Sequence, residues 1–334
     1  MSLKFSIILP VYNVEKFLPD CLDSLYCQDL PEEEYEIICV DDGSPDASAE
    51  VIRRYQQQHA GLILLQQENS GVGTARNHGF ERARGEYVWF IDPDDMIASN
   101  CLKKIARLLQ ENNADVFEML EYRTCPEEQK FEPENIDFQI DGENHFGSGA
   151  SACLSVCRRD YLLRHQIVFH PQLHYGEDYL WALQTKFRKH KSIYTRTALY
   201  VYRQRSGSAM HATSLEKVRH HMQDMIELGK IYQVEYERCK REGLATELLE
   251  NIRKRQSLCS ESALFCLMKL KPTPEELRAA LAGFQQEGSY PYPLMTWKFL
   301  PGEGFGSLSY HLLTYLFPFR FYYLAICALY RKLR

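Results

Sequence analysis

The sequence predicts an α/β fold, in which helices flank a mostly parallel sheet, followed by a helical C-terminal region. Up to residue 120, short apolar runs alternate with stretches of helical periodicity. Polar motifs follow three of the apolar runs, at the sheet edge where ligands bind in such folds. After residue 214 only helical periodicity remains. We therefore expect an α/β domain with a ligand-binding edge in residues 1–214 and a helical region in residues 215–334.

Five apolar runs are typical of buried strands, and in chain order they read FSIIL, EIICV, LILL, EYVWFI and DVFEML. Segments of helical spacing lie between them: VEKFLPDCLDSLY, a helix capped by Asp46, residues 73–83, and CLKKIARLLQENN, capped by Ser99. Residues 124–149 lack either period and are expected to form a surface excursion. This alternation predicts parallel strands joined by crossover helices.

Beyond residue 214 the pattern is helical only. Val218, Met222, Met225 and Ile226 share one stripe of a predicted helix. Gly243 is expected to end that helix, because glycine readily adopts the left-handed conformation found after helix C-termini.

Composition excludes several classes of protein. The 45 acidic side chains outnumber the 39 basic ones, so no nucleic-acid-binding surface is indicated. The eleven cysteines are scattered and show no CxxC pair, which predicts reduced thiols of a cytoplasmic protein instead of disulfides or a zinc site. The first apolar run, residues 5–9, is too short for the core of a signal peptide.

Three carboxylates stand within four positions in FIDPDD, at the end of the fourth predicted strand. A D-x-D spacing at a strand end can hold Mg²⁺ or Mn²⁺, which then takes further ligands from substrate phosphates. Alternatively, Asp94 or Asp95 only caps a turn, because Asp-Pro is common in turns. A phosphatase-type D-x-D usually follows the first strand, so its position here argues against that chemistry.

Two adjacent acids, Asp41 and Asp42, follow the second predicted strand in VDDGS. A carboxylate at this edge can accept a hydrogen bond from a nucleobase N–H or a ribose hydroxyl. The alternative is a turn at Gly43 with a helix cap from Ser44 or Asp46.

The glycines of NSGVGTARNHG, residues 69–79, suggest phosphate binding, with Arg76 pairing with a diphosphate. The dinucleotide fingerprint G-x-G-x-x-G is not matched, because Arg76 stands where its last small residue belongs and the loop follows the third strand.

Taken in order, SIILPVYN, VDDGS, NSGVGTARNHG, FIDPDD and YGED resemble the inverting glycosyltransferase family 2 of the bacterial cell-surface polysaccharide type. The resemblance runs from Lys4 to about Arg205 and leaves the last third of the chain uncovered. It implies a GT-A fold and a cofactor of Mn²⁺ or Mg²⁺. The implied reaction moves a sugar from a nucleotide-sugar donor, most often a UDP-sugar, to a hydroxyl of a glycan or a lipid-linked acceptor.

The resemblance also implies roles for individual residues of the sheet edge. The donor-binding residues implied in this way are Pro10, Tyr12, Asn13, Asp41, Asp42, Arg76 and Asp92. The metal ligands implied are Asp92, Asp94 and, by similarity to a late histidine of some relatives, His211. For His211 a surface or core position without ligand is the alternative, since many histidines have no such role.

Glu177 and Asp178 of YGED are similar to the catalytic pair of the family, which makes Asp178 the expected general base and Glu177 its neighbour. Inversion requires one displacement, in which a carboxylate takes the proton of the acceptor hydroxyl. Both acids also suit the first turn of a helix over YLWALQTKF, and the two roles are compatible. Arg203 and Arg205 are expected to close over the diphosphate.

The final stretch, about residues 308–334, is apolar and aromatic but is interrupted by Pro318 and Arg320. These interruptions argue against a spanning helix. They predict either an interfacial segment at the inner face of the plasma membrane or a terminal helix packed on the protein's own core.

Two rival functions stay open. A nucleotidyltransferase that makes sugar nucleotides would need a basic loop after the first strand, where only Lys16 is present. An inactive nucleotide-binding scaffold would not need the intact D-x-D together with Asp178.

Overall fold

The computed structural model describes residues 3–145, 151–188, 190–205 and 214–270. The chain divides into two compact units, residues 1–211 and 212–334. Two sequence predictions fall outside the described residues, namely the metal-binding role of His211 and the membrane contact of about residues 308–334. Both stay predictions.

Within the described part of the first unit, eleven strands form two sheets. They are β1 (Phe5–Val11), β2 (Tyr35–Asp41), β3 (Leu62–Gln66), β4 (Tyr87–Phe90), β5 (Met96–Ile97), β6 (Val116–Met119), β7 (Arg123–Cys125), β8 (Gly142–Glu143), β9 (Ser155–Arg158), β10 (Ser192–Thr195) and β11 (Tyr200–Arg203). The large sheet has the order β3-β2-β1-β4-β9-β6-β10-β8, and the small sheet has the order β5-β11-β7. All five strands predicted from the sequence are present.

Most pairings of the large sheet are parallel, which confirms the predicted α/β class. The sequence did not predict β9, which lies antiparallel between β4 and β6. Because β9 runs the opposite way, its first residue, Ser155, pairs with Glu118 near the carboxyl end of β6. The residues just before β9 are therefore brought to the same sheet edge as the predicted polar motifs.

The residues that the structure describes include eight α-helices: α1 (Leu18–Tyr26), α2 (Ser48–Gln56), α3 (Val72–Arg82), α4 (Leu102–Glu111), α5 (Arg159–Arg164), α6 (Glu177–Lys186), α7 (Leu215–Arg241) and α8 (Thr246–Lys269). Side chains of α1, α2 and α4 form one core with alternate strand residues such as Ile7. Side chains of α3, α5 and α6 form a second core with the opposite set, which includes Ile8. Helices therefore cover both faces of the sheet.

Glycine allows α3 to lie close to the sheet. A Cβ atom added at Gly79 would lie 2.5 Å from Cγ2 of Ile8, so a side chain there would push the helix away. Arg76 lies one turn earlier on the same helix, so its distance from the sheet depends on this close contact.

Two helix starts differ in how they are satisfied. Asp46 accepts a hydrogen bond from the Ser48 N–H at 3.1 Å, next to the start of α2. The predicted Ser99 cap of α4 is wrong, because the first N–H groups of that helix are bound by Gln28 Oε1 instead. A side chain distant in sequence thus replaces the local cap.

The second unit is described as a pair of long helices. Ser214 caps α7 by accepting from the Lys217 N–H. Gly243 follows α7 with a φ of +68°, as its predicted role as a helix stop requires. Of the predicted stripe, only Met225 belongs to the buried face, which also contains Leu228 and Tyr232. Within the described residues, no helix is apolar and long enough to cross a membrane.

Candidate active site

The polar motifs predicted to share one sheet edge follow β1, β2 and β4, which are adjacent parallel strands. Pro10 is buried within β1, beyond the last residue pair that β1 forms with β4. Tyr12 follows the strand and is 47% exposed, so its ring is available to a ligand. Asn13 has a φ of +54°, and its N–H donates to Ser44 Oγ at 3.2 Å.

The acids after β2 are buried and accept hydrogen bonds from neutral groups. Asp41 accepts from the Ser44 N–H and from the Gln66 amide, both at 3.0 Å. Asp42 accepts from the Gln67 amide and from two backbone N–H groups of the loop before α3, those of Ser70 at 2.8 Å and Gly71 at 2.9 Å. These bonds fix the start of α3. Nucleobase binding by Asp41 and Asp42 stays a prediction.

The last acid of FIDPDD is a structural anchor. Asp95 is buried and accepts from the Tyr200 hydroxyl at 2.6 Å and from the Arg203 N–H at 2.8 Å. The same hydroxyl accepts from the Asp92 N–H at 3.3 Å. Burial, reinforced by the charges of Asp94 and Asp92, raises the pKa of Asp95 well above its usual value. β11 therefore anchors the acidic turn through Tyr200 and Arg203.

Arg203 does not cover the diphosphate, so that expectation is wrong. Its side chain is 1% exposed, and its Nε donates to the Asp94 carbonyl at 2.9 Å. One Nη atom donates to the carbonyls of Glu127 and Gln129, and the other lies 3.3 Å from Asp20 Oδ2. The guanidinium thus joins the acidic turn to α1 and to the surface excursion. A buried charge must be satisfied in this way, which is why it cannot serve a ligand.

Asp92, the first acid of the motif, is held through both oxygens. Arg76 Nη2 donates to Oδ1 at 2.7 Å, and the Cys153 thiol donates to Oδ2 at 3.2 Å. Burial raises the pKa of the Cys153 thiol well above its usual value, so it is present as the neutral donor. These partners hold both carboxylate oxygens of Asp92, whose side chain is still 33% exposed, and metal binding by Asp92 or Asp94 stays a prediction.

Asp94, the middle acid, forms an ion pair with Arg205. Arg205 Nε lies 2.6 Å from Asp94 Oδ2, and the two side chains are 26% and 15% exposed. Burial raises the pKa of Asp94, and the neighbouring Asp92 carboxylate raises it further against the opposing effect of Arg205. The carboxylate therefore stands where an added positive charge would be stabilising.

Arg76 connects the acidic turn to the predicted catalytic pair. Its side chain is 3% exposed, and Nη1 donates to Glu177 Oε1 at 2.9 Å while Nη2 binds Asp92. The Phe169 ring lies against the guanidinium, with its centroid 4.9 Å from Arg76 Cζ. Burial alone would lower the pKa of Arg76, but the carboxylates of Asp92 and Glu177 raise it, so the charge is permanent. Arg76 is therefore a bridge between two motifs, and direct pairing with a diphosphate stays a prediction.

Glu177 and Asp178 begin α6, as the sequence predicted for a helix over this segment. Burial raises the pKa of Glu177 to about 7, although Arg76 opposes the shift. Burial also raises the pKa of Asp178, again against Arg76. Asp178 Oδ2 accepts from the Ser151 hydroxyl at 3.0 Å. The pair thus offers carboxylates of raised basicity at the sheet edge.

A cavity of about 250 Å³ lies beside the predicted catalytic pair, between the start of α3 and residues 171–175. Gly73 lines it, and a Cβ atom added there would be 3.8 Å from Glu177 Cγ. The wall contributed by α3 is the segment that Asp42 holds in place. The cavity is therefore shaped by two of the motifs.

Sequence reasoning missed Ser151, Cys153 and Tyr200, which bind the acids of the motifs. No local pattern marks them, because their proximity depends on β9 and β11. The sequence did contain a signal for the buried position of Arg76. Together with Ala75, Gly79 and Phe80 it falls on the buried face of α3, where a charge requires buried partners.

The donor set suits a hard divalent cation that keeps most of its ligands from elsewhere. Among the described residues there is no cluster of three or more His, Cys, Asp or Glu side chains able to hold a metal ion. Mg²⁺ and Mn²⁺ can bind through one or two carboxylates together with substrate phosphates, and the oxygens of Asp94 are of that type. His211 lies outside the described residues.

Comparison with known proteins gives a family match for the first part of the chain. Residues 6–158 match the model of glycosyl transferase family 2. A poly(ribitol-phosphate) beta-glucosyltransferase of Bacillus spizizenii is 40% identical over 116 residues, which cover 34% of this chain and 18% of that protein. The uncharacterized glycosyltransferase EpsJ of Bacillus subtilis is 27% identical over 229 residues, which cover 65% of this chain and 66% of EpsJ. The matched part of the chain thus spans less than two thirds of either relative.

A solved structure has a similar fold. A Staphylococcus aureus TarS fragment crystallised with UDP-GlcNAc is similar with a TM-score of 0.57 and 21% identity, over 90% of this chain and 98% of that chain. At this identity the likeness is one of fold. Residues 6–158 therefore match glycosyl transferase family 2, and the chain resembles TarS in its GT-A fold, as its ordered motifs predicted.

Proposed function

We propose that the protein is a metal-dependent inverting glycosyltransferase, which moves a sugar from a nucleotide-sugar, with a UDP-sugar as the expected donor, to a hydroxyl of a glycan or lipid-linked acceptor. The observation that carries this proposal is the Arg76 bridge between Asp92 and Glu177. It fixes the acidic turn and the carboxylate pair relative to each other, as a displacement with donor and acceptor on opposite sides requires.

On the donor side, Asp94 would hold Mn²⁺ or Mg²⁺ jointly with the donor diphosphate. Such an ion would supply positive charge against the negative charge that develops on the leaving diphosphate. Asp92 is oriented by Arg76 and Cys153 and is assigned to the ribose or to a bound water. Tyr12 offers an exposed ring to the nucleobase.

On the acceptor side, Asp178 is the proposed general base. Its raised pKa makes its carboxylate a stronger base than an exposed aspartate, and the neighbouring Arg76 opposes the shift. The Ser151 hydroxyl and the Tyr179 N–H orient the carboxylate. One base and one displacement invert the configuration of the transferred sugar.

The proposed acceptor class is a polymer or its lipid-linked precursor. The curated relatives that the chain matches include enzymes named for poly(ribitol-phosphate). The cavity beside Glu177 has room for one sugar-sized group, and small-molecule sites are usually concave in this way. We assign it to the acceptor terminus.

The decisive experiment measures donor turnover across UDP-, GDP- and dTDP-sugars, with Mn²⁺ and with EDTA, in the wild type and in Asp178→Asn. Metal-dependent release of UDP from one donor is expected in the wild type. Asp178→Asn should transfer to an acceptor at least roughly 10²-fold more slowly while binding UDP normally. Binding without turnover of any donor, in the presence of glycan and lipid-linked acceptors, would favour an inactive scaffold instead.

A further inference from the structure

Two arginines of β11 and its following residues differ sharply in how they are held. Arg203 is buried and bound through every nitrogen of its guanidinium. Arg205 is partly exposed, and its ion pair with Asp94 is the contact that brings a cation to this acid. The Phe17 ring also lies near Arg205, with its centroid 5.8 Å from the guanidinium carbon. Arg205 can therefore leave Asp94 without breaking the core.

Arg205 occupies the carboxylate that a divalent cation would need. Its Nε lies 2.6 Å from Asp94 Oδ2, within direct hydrogen-bond distance. A metal ion bound to the same carboxylate would meet a like charge within a few ångströms, which is unfavourable. Guanidinium and metal ion therefore compete for Asp94.

A diphosphate resolves this competition. Arginine offers a planar set of donors that matches phosphate oxygens, so the displaced side chain gains a stronger partner than water. The metal ion in turn gains phosphate ligands that Asp94 alone does not supply. The metal ion and the diphosphate thus each lower the free-energy cost of binding the other.

We propose that Arg205 is the resident counter-cation of Asp94, that a divalent cation displaces it, and that the displaced guanidinium then binds the donor diphosphate. This inference rests on the proposed function and deepens it. It makes the binding of metal and donor cooperative, and such coupling is reciprocal by thermodynamic necessity. Metal alone binds weakly, because Arg205 must lose its partner.

The test is isothermal titration calorimetry of Mn²⁺ alone, of UDP alone, and of UDP at saturating Mn²⁺. Arg205→Gln removes the charge, and Arg107→Gln is the matched control, because Arg107 also pairs with an acid but on the exposed face of α4. We expect Arg205→Gln to bind Mn²⁺ alone about five-fold more tightly, as removal of a partly exposed ion pair allows. UDP at saturating Mn²⁺ should bind roughly ten-fold more weakly. Arg107→Gln should match the wild type.

The opposite signs of the two changes make the inference falsifiable. Unchanged or weaker Mn²⁺ binding in Arg205→Gln, or unchanged UDP–Mn²⁺ binding, overturns the role of Arg205 and leaves the proposed transferase intact. A wild type that binds UDP equally with Mn²⁺ and with EDTA overturns both this inference and the proposed metal dependence. Coupled binding in a wild type that turns over no donor would support the inference while the proposed activity fails.

Discussion

Two acidic turns lie at the same sheet edge, one after β2 and one after β4, and they are satisfied in different ways. Asp41 and Asp42 accept hydrogen bonds from neutral amides and backbone N–H groups. Asp92 and Asp94 are paired with the cations Arg76 and Arg205. Both turns show adjacent or nearly adjacent acids in the sequence, so composition alone does not separate them.

The difference teaches what each turn can exchange. A carboxylate that binds several N–H groups holds a loop, and replacing those donors by a ligand would release the loop. A carboxylate paired with a partly exposed cation can exchange that cation for another at little cost. The turn after β2 therefore stabilises the start of α3, and the proposed exchange of cations in the turn after β4 concerns Asp94.

The largest effect that would test this contrast is expected for Asp94→Asn. The amide keeps the shape and loses the charge, so we expect metal-dependent turnover to fall by roughly 10²- to 10³-fold. Because Asp94 and Arg205 are partly exposed, the free energy of unfolding should change by less than about 0.5 kcal/mol. Steady-state kinetics and urea denaturation measure the two quantities. If the loss in free energy of unfolding equals the loss of activity expressed as a free energy, then this turn also stabilises the fold.

Asp42→Asn should show the reverse pattern. In the variant, the side-chain NH₂ group would face N–H donors that bind a carboxylate oxygen in the wild type. We therefore expect a loss of about 1–3 kcal/mol in the free energy of unfolding. Urea denaturation of the variant tests this, with the exposed Asp137→Asn as control, because Asp137 pairs only with Lys104 at the surface. If Asp42→Asn is as stable as the control, the hydrogen bonds to the loop before α3 contribute nothing to the free energy of unfolding.

The smallest effect concerns pH. Arg76 lowers the pKa of both Glu177 and Asp178, so its removal raises them, and a general base must be ionised to act. In Arg76→Gln the acidic limb of kcat/KM should therefore move to higher pH. This shift is worth about ten-fold or less at a pH below the limb, and it adds to the pH-independent loss caused by breaking the buried bridge to Asp92 and Glu177. Arg76→Lys keeps the charge and should leave the limb near its wild-type position. Identical profiles for the two variants would show that geometry, not charge, is the contribution of Arg76.

The sequence predicted the part of the fold that is local. Strands β1 to β4 and β6 and the helices between them follow from apolar periodicity, because each buries its own apolar face. The shared sheet edge followed from the rule for parallel strands. The identities of Asp94, Asp178 and Glu177 as candidates followed from the order of the motifs.

The remainder depends on pairings between distant segments. β9 spans only Ser155–Arg158, and nothing in those residues specifies an antiparallel position between β4 and β6. The partners of the acids, such as Ser151 and Tyr200, come from that region and from β11. The misassigned Arg203 shows the same limit, because its buried position is set by contacts with Asp20 and with residues of the surface excursion.

The position of Arg203 has a consequence for the order of folding. It contacts Asp20, which is 183 positions earlier, and the Asp94 carbonyl, which is 109 positions earlier. Contacts of such separation form late, because a long loop must close before they contribute. A nascent chain that has reached residue 158 already contains every strand from β1 to β9 but lacks this arginine. The acidic turn thus acquires its final geometry only after β11 has been synthesised and has joined β5, so the proposed metal-binding end of the site is completed last.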